Sequence, residues 1–257
     1  MTQEQRVDYL IRYLLEEGEE YPGIIQPSGL EEKRRLLRSL LNLRPPTPVS
    51  GDFLCIQDAY LGVRLAERGV TSLSNLAPMR PGLYLWQGDI TTLEVDAIVN
   101  AANSQMLGCF VPCHGCIDNA IHTYAGVQLR LECARIMAAQ QEEEPTGKAK
   151  ITRAYNLPCR YVLHTVGPII HGSVTKTDRA LLAGCYRSCL ELAAARGLRS
   201  VAFCCISTGE FHFPNELAAE IAIQTVQTWQ GQNPDQIEVI FNVFKDSDYA
   251  IYKRLLG

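Results

Sequence analysis

"GDITTLEVDAIVNAANSQMLG", Gly88 to Gly108, is where the chain changes character. Ala97 to Asn103 within it is a short apolar run bounded by turn residues, the pattern of a strand buried on both faces of a sheet. The run ends on alanines and two amides, Asn100 and Asn103, which leaves small residues and polar groups at the strand tip. Just upstream, Gly88 lets the chain turn after "LYLWQ" (Leu83 to Gln87), and Asp89 sets a carboxylate acceptor in that turn.

Three more runs of the same kind follow: "YVLHTVG" (Tyr161 to Gly167), "VAFCCIST" (Val201 to Thr208) and "EVIFNVF" (Glu238 to Phe244). Helical stretches separate them, roughly Asp118 to Gln140, Asp178 to Arg196, Pro214 to Trp229 and Ser247 to Leu256. Pro214 suits the first position of its helix, where a backbone N–H is not needed. "EEEPTGKAK" (Glu142 to Lys150) is expected as a solvated loop. Strands alternating with helices predict a three-layer α/β domain, and ligands in such sheets bind beyond the carboxyl ends of the strands.

Residues 1–75 read instead as a small all-helical segment, with the α/β domain taking 76–257. Val7, Leu10, Ile11 and Leu14 follow amphipathic helical spacing. Ser28 and Glu31 have capping-box spacing before a helix whose stripe is Leu36, Leu37, Leu40 and Leu41, stopped by the proline-rich "RPPTPVSG" (Arg44 to Gly51). Ile56, Tyr60 and Val63 mark a third helix. No catalytic constellation falls in this segment, so it is expected to be a helical cap.

Composition narrows the function. With 257 residues, 47% apolar, the chain can bury a sizeable core. A net charge of −4 argues against broad nucleic-acid binding, which needs a basic surface. The polar N-terminus is no signal peptide, and no run approaches the ~18 apolar residues of a membrane span, so a cytoplasmic address is expected. There, the ten cysteines are better read as thiols or metal ligands than as disulfides. Cys55, Cys133, Cys159, Cys185, Cys189, Cys204 and Cys205 sit in apolar patterns and are expected as small buried residues.

Two further stretches carry chemistry. In "ISTGEFHFPNELAAE" (Ile206 to Glu220) a strand ends in Ser207-Thr208-Gly209 and a helix starts shortly after, so backbone N–H groups can cradle an anion. "GCFVPCHGCIDNAIH" (Gly108 to His122) packs three cysteines and two histidines into one loop and helix start. The residues leave three readings open: a metal site, where a closed structural zinc would take Cys113 or His122 as fourth ligand; a Cys113–Cys116 redox pair; and buried thiols that lie close together. His164, inside a strand, reads as a hydrogen-bonded core residue, and His122 as a packed or solvated one.

"GDITTLEVDAIVNAAN", a glycine-containing loop ending in "IDNAIH", "YVLHTVGP" and "ISTGEFHFP" together closely resemble the macrodomain, the ADP-ribose-binding fold, over about residues 83–257. Common hydrolytic macrodomains carry a Gly-Gly pair before the apolar residue and aspartate of the catalytic loop; here that place reads Gly115-Cys116-Ile117-Asp118. That departure, with the helical extension, is similar to the zinc-dependent macrodomains, protein-ADP-ribose hydrolases whose loop reads G-C-F-x-P-x-H-x-C-I-D-N-x-I-H.

The resemblance implies an α/β/α fold with a mixed central sheet and one zinc per chain held by Cys109, His114 and Cys116, with Cys113 on a variable position. Asp89 and Ile90 would hold adenine, with Phe244 stacking on it. Ser207, Thr208, Gly209, Glu210 and Phe211 would wrap the diphosphate. Asn103 would hold the distal ribose, and Asp118 would activate water against its C1 bond to a protein side chain, an Asp or Glu ester. Mono-ADP-ribosylated protein is the implied substrate, with a sirtuin-type ADP-ribosyltransferase and a lipoylated carrier protein as family partners. The alternative is a non-catalytic ADP-ribose reader, which would need neither Asp118 nor the cysteine–histidine spacing.

Overall fold

The computed structural model describes residues 1–17, 26–234 and 236–257. Helices α1 (Gln3–Glu17), α2 (Leu30–Leu43) and α3 (Gly51–Arg68) come first. The stripe of α1 is buried as its spacing predicts. It packs with Leu37, Leu40 and Leu41 of α2 and with Phe53, Tyr60 and Leu61 of α3 in one apolar cluster. Ser28 does not cap α2: the helix starts at Leu30, so Gly29 is the N-cap and Ser28 falls one residue outside. Ser50 does cap α3, its hydroxyl accepting from the N–H of Phe53.

The rest of the chain runs β1 (Thr71–Ser72), β2 (Pro78–Arg80), β3 (Leu83–Gln87), β4 (Leu93–Glu94), β5 (Ala97–Ala102), α4 (Ile117–Ala125) and α5 (Val127–Gln140). Next come β6 (Ala149–Arg153), β7 (Tyr161–Val166), α6 (Lys176–Ala195), β8 (Ser200–Phe203), α7 (Asn215–Gln232), β9 (Glu238–Val243) and α8 (Asp246–Leu256). Seven strands form one mixed sheet in the order β2-β3-β9-β8-β5-β7-β6. The inner five are parallel, and β2 and β6 close the edges antiparallel. Successive residues of β7, β8 and β9 are buried, so both faces of the sheet are covered.

Four expectations shift. The helix predicted from Asp118 to Gln140 is broken between α4 and α5 by Gly126, whose φ of +93° favours glycine. Pro214 is the N-cap of α7, and Asn215 its first residue. The expected loop Glu142 to Lys150 instead buries Glu144 and runs into β6, because Lys150 and Gln140 bond the Glu144 carboxylate at 2.8 and 3.1 Å. Cys55 is exposed on α3 and Cys205 half-buried, while the other five cysteines of that group are buried. Among the described residues no helix is long and apolar enough to cross a membrane.

Arg130 of α5 joins the two parts. Its buried guanidinium donates to the carbonyls of Leu41 (3.1 Å), Asn42 (3.0 Å) and Arg44 at the end of α2, and to that of Leu107 (2.7 Å). It also lies 4.4 Å over the Phe110 ring. Helix ends leave such carbonyls without intrahelical partners, so Arg130 supplies the C-terminal cap that α2 lacks in its own sequence. Replacing Arg130 with Met should destabilise the chain by at least ~2 kcal/mol, the scale of stranding buried acceptors. Arg254→Ala, which removes an exposed ion pair with Glu216, should change stability by less than about 1 kcal/mol. Urea unfolding of both variants checks the contrast.

Candidate active site and metal loop

Because the inner strands are parallel, the tips of β3, β9, β8, β5 and β7 share one edge of the sheet. That edge carries Asp89 and Ile90, Phe244, the loop Ser207 to Phe211, and Asn103. Asp89 caps a short turn, accepting on Oδ1 from the Thr91 N–H (3.0 Å) and hydroxyl (2.6 Å). Its Oδ2 accepts from Arg68 of α3 at 2.9 Å, and the same guanidinium lies 3.6 Å over the Tyr124 ring. Ile90 is buried in this turn. Phe244, just past β9, is 75% exposed, so its ring is free to stack.

The loop after β8 is shaped by turns. Ser207 and His212 take φ of +64° and +56°, and Phe213 N–H donates to Ser207 O at 2.9 Å while His212 N–H donates to Gly209 O at 3.0 Å. Among the described residues the N–H groups of Gly209, Glu210 and Phe211 donate to no protein group. Free N–H groups ahead of a helix N-terminus are the arrangement that can cradle an anion. The Thr208 hydroxyl and N–H both donate to Cys205 O (3.0 and 3.4 Å), so Thr208 shapes the loop.

At the β5 tip, Asn103 spends its amide on the chain: Nδ2 donates to Gly108 O (3.2 Å) and Oδ1 accepts from Gln105 N–H (3.1 Å). It shapes the start of the cysteine loop and keeps one further donor and acceptor for a ligand. Gly108 then turns with φ +83°, where a Cβ would meet the His122 ring at 2.7 Å. Beyond it, the donor atoms of Cys109, His114 and Cys116 all lie within 4.8 Å of one another. Cys109 Sγ is 3.6 Å from His114 Nδ1. A tetrahedral zinc with bonds of about 2.3 Å to sulfur and about 2.0 Å to nitrogen spans an edge of roughly 3.5 Å, so the trio fits that ion. Burial pushes the Cys116 thiol up to about 12, a proton that a bound cation would displace.

Neither candidate for a fourth ligand joins the trio. Cys113 is turned to α2: its N–H donates to Asn42 Oδ1 (2.9 Å), and its sulfur lies 3.3 Å from Ser39 Oγ. Cys116 caps α4, its sulfur accepting from the Asn119 N–H at 3.4 Å, and the two cysteines are not joined in a disulfide. His122 is buried under Asp118, its Nε2 3.6 Å from Asp118 Oδ1. The other nitrogen of His114, Nε2, lies 3.5 Å from Glu210 Oε1, which joins the cysteine loop to the anion loop.

Asp118 is buried in the first turn of α4, where a negative charge is favoured. Its Oδ1 accepts from Asn100 Nδ2 at 2.8 Å, and burial pushes its carboxyl up to about 6. The same Asn100 amide contacts His164 Nδ1 at 3.2 Å, and His164 Nε2 lies 2.9 Å from Thr152 Oγ1. Asn100 donating to Nδ1 leaves the His164 proton on Nε2, with Thr152 accepting it. His171 and His212 lie in loops. Sequence reasoning missed Arg38, Arg68 and Arg130, which reach this region from distant elements with no local motif. Asn100 and Asn119 were legible only as parts of the "NAAN" and "IDN" strings.

Residues 99–222 match the family model of the Macro domain. A solved Trypanosoma brucei macrodomain in complex with ADP-ribose matches with TM-score 0.67 and 32% identity, covering 93% of this chain and 97% of that one. The chain belongs to the macrodomain family. More narrowly, it is 56% identical over 261 residues to the protein-ADP-ribose hydrolase of Treponema medium, covering 100% of both. It is 50% identical over 250 residues to the protein-ADP-ribose hydrolase of Staphylococcus aureus, covering 96% of this chain and 94% of that one. Its place is among the protein-ADP-ribose hydrolases.

The buried histidines make stability depend on pH. Burial holds His164 at about 3, against 6.5 for the free group, and lowers His122 as well. The unfolded chain takes up protons that the folded one refuses, so this contribution is full above pH 6.5 and is lost as pH falls toward 3. Asp118 opposes the trend, since its raised carboxyl binds a proton first in the folded state. His164→Asn should therefore lose less stability than the unmodified chain between about pH 7 and about pH 5. Urea midpoints at the two values check it, and equal losses would show that His164 is not a buried neutral base.

Proposed function

We propose that the chain hydrolyses the bond between C1 of the distal ribose of ADP-ribose and a protein side chain, with zinc held by Cys109, His114 and Cys116. The observation that carries this reading is the placement of that trio. It stands at the β5 tip, one turn from Asp118 and in contact through His114 with the anion loop at Glu210. The reading is supported by relatives named protein-ADP-ribose hydrolase and by a similar macrodomain solved with ADP-ribose.

In this reading Asp89 accepts from the adenine amino group and Phe244 stacks on the ring. The free N–H groups of Gly209, Glu210 and Phe211 take the diphosphate, with Ser207 and Thr208 setting the loop's path. Asn103 positions the distal ribose with its remaining amide capacity, so that the C1 bond faces its nucleophile. Zinc, when bound, supplies an electrophile that orients a ribose hydroxyl or water and steadies developing negative charge. Asp118 Oδ1 is fixed by Asn100; Oδ2 has no hydrogen-bond partner among the described residues. That oxygen takes the proton of the attacking water. The acceptor assigned is an Asp or Glu ester, whose carboxylate is a good leaving group. The family partners, a sirtuin-type ADP-ribosyltransferase and a lipoylated carrier, and a cytoplasmic setting that keeps thiols reduced, complete the proposal.

Two outcomes test it. Protein purified without added metal should carry one zinc; Cys109→Ala, His114→Ala and Cys116→Ala should each lose most of it, and Cys113→Ala should keep it. Elemental analysis showing full zinc in Cys116→Ala removes the trio. Separately, Asp118→Asn should bind ADP-ribose within a few-fold of the unmodified chain yet release it from a mono-ADP-ribosylated protein ~10²–10⁴-fold more slowly, the worth of a positioned base. Calorimetry and product release measure the two. If the unmodified, zinc-loaded chain binds ADP-ribose but frees none from any acceptor type, it is a reader and not a hydrolase.

A further inference from the structure

The loop that carries the trio has no regular secondary structure between Gly108 and Cys116, so its three donors need an outside frame. One residue of the N-terminal helices supplies it. Arg38 of α2 donates from Nη2 to the backbone carbonyl of His114 (3.1 Å), and from Nε and Nη2 to Asn119 Oδ1 (3.3 and 2.8 Å). Asn119 carries the hold onward, its Nδ2 donating to the carbonyls of Val111 (3.0 Å) and Cys109 (3.4 Å). The backbones of two donor residues, Cys109 and His114, therefore hang on one arginine–amide pair. Asn42 of the same helix holds the loop's middle through Cys113 N–H.

We infer that Arg38 is a positioning residue of the cysteine–histidine loop, and that the N-terminal helices are a working part of the active site instead of a remote cap. A loop that must be ordered when a cation binds weakens that binding by the entropy of the ordering. Arg38 and Asn119 order it beforehand. The guanidinium suits this because its planar fork reaches Asn119 Oδ1 with two nitrogens and the His114 carbonyl with one of them. A lysine ammonium is a single point charge and cannot span both. Asn119 is equally specific: Asp at that position would still accept from Arg38 but could not donate to the Val111 and Cys109 carbonyls. The consequence for metal binding rests on the zinc reading of the trio; the ordering of the loop does not.

The test uses the full-length, metal-stripped chain with Arg38→Met, Arg38→Lys and Asn119→Asp, and Arg12→Ala on the exposed face of α1 as a control. Cobalt(II), whose thiolate charge-transfer band reports the donor geometry, is titrated in competition with a chelator. Amide hydrogen exchange of residues 108–116 is followed without metal, and urea midpoints report stability. Arg38→Met and Asn119→Asp should weaken cobalt binding about 10–100-fold, the usual effect of losing an outer-shell partner, with an altered band and faster exchange confined to the loop. Arg38→Lys should recover stability but not the band, and Arg12→Ala should match the unmodified chain throughout. Unchanged affinity, band and loop exchange in Arg38→Met would overturn the inference. If the unmodified chain binds neither cobalt nor zinc, the metal reading fails by itself. Loop exchange then decides Arg38: faster in Arg38→Met supports its positioning role, and unchanged rates refute it.

Discussion

One buried cation holds the molecule's two parts in register. Arg130 stays charged, since burial lowers it only to about 10, and it faces the carbonyls of Leu41, Asn42 and Arg44 where α2 ends. Those acceptors have no intrahelical partner of their own, so removing the guanidinium strands them. The same group bonds Leu107 O, one residue before Gly108, and covers the Phe110 ring. Where α2 ends is thereby tied to where the cysteine loop begins. The contacts of Arg38, Ser39 and Asn42 with that loop lie along the same seam.

A second constraint lies beneath Asp118. Parallel pairing of β5 with β7 sets Asn100 opposite His164, and one amide then serves both His164 Nδ1 and Asp118 Oδ1. It can donate to the imidazole only while that ring is neutral, and full burial keeps it so. The strand histidine thus sets the amide's orientation, and the amide sets the carboxylate's. Asn100 Oδ1 and both ring nitrogens of His122 are buried without a protein partner among the described residues. A polar core of this kind tolerates ordered water better than an apolar substitution.

Legibility from sequence followed the range of each interaction. Periodicity located every inner strand and the three N-terminal helices, because burial on a face repeats locally. It missed β6, whose five residues lie at a half-covered edge, and it ran α4 into α5, because a lone glycine inside a helical pattern does not announce its backbone angle. The trio was readable as a string, since Cys109, His114 and Cys116 are neighbours in sequence. That Cys113 faces α2 was not: its partners Ser39 and Asn42 lie more than seventy residues away. The reading of residues 1–75 as a helical cap overlooked Arg38 and Arg68, whose hydrogen bonds end on Asn119, His114 and Asp89.

The contact between His114 and Glu210 is the loosest of those that shape the site, and its looseness suits its place. The two side chains are 31% and 70% exposed with 3.5 Å between Nε2 and Oε1, and exposed pairs of that kind contribute at most about 0–1 kcal/mol. Such a contact cannot by itself hold the cysteine loop closed against the loop that carries Glu210. The imidazole thus has Glu210 beyond Nε2 and Cys109 beyond Nδ1. Rigid support therefore comes from behind the loop, through Arg38, Asn119 and Arg130. The side that meets the ligand carries only a weak, exchangeable pair. A site built this way is ordered before the ligand arrives and still open to it.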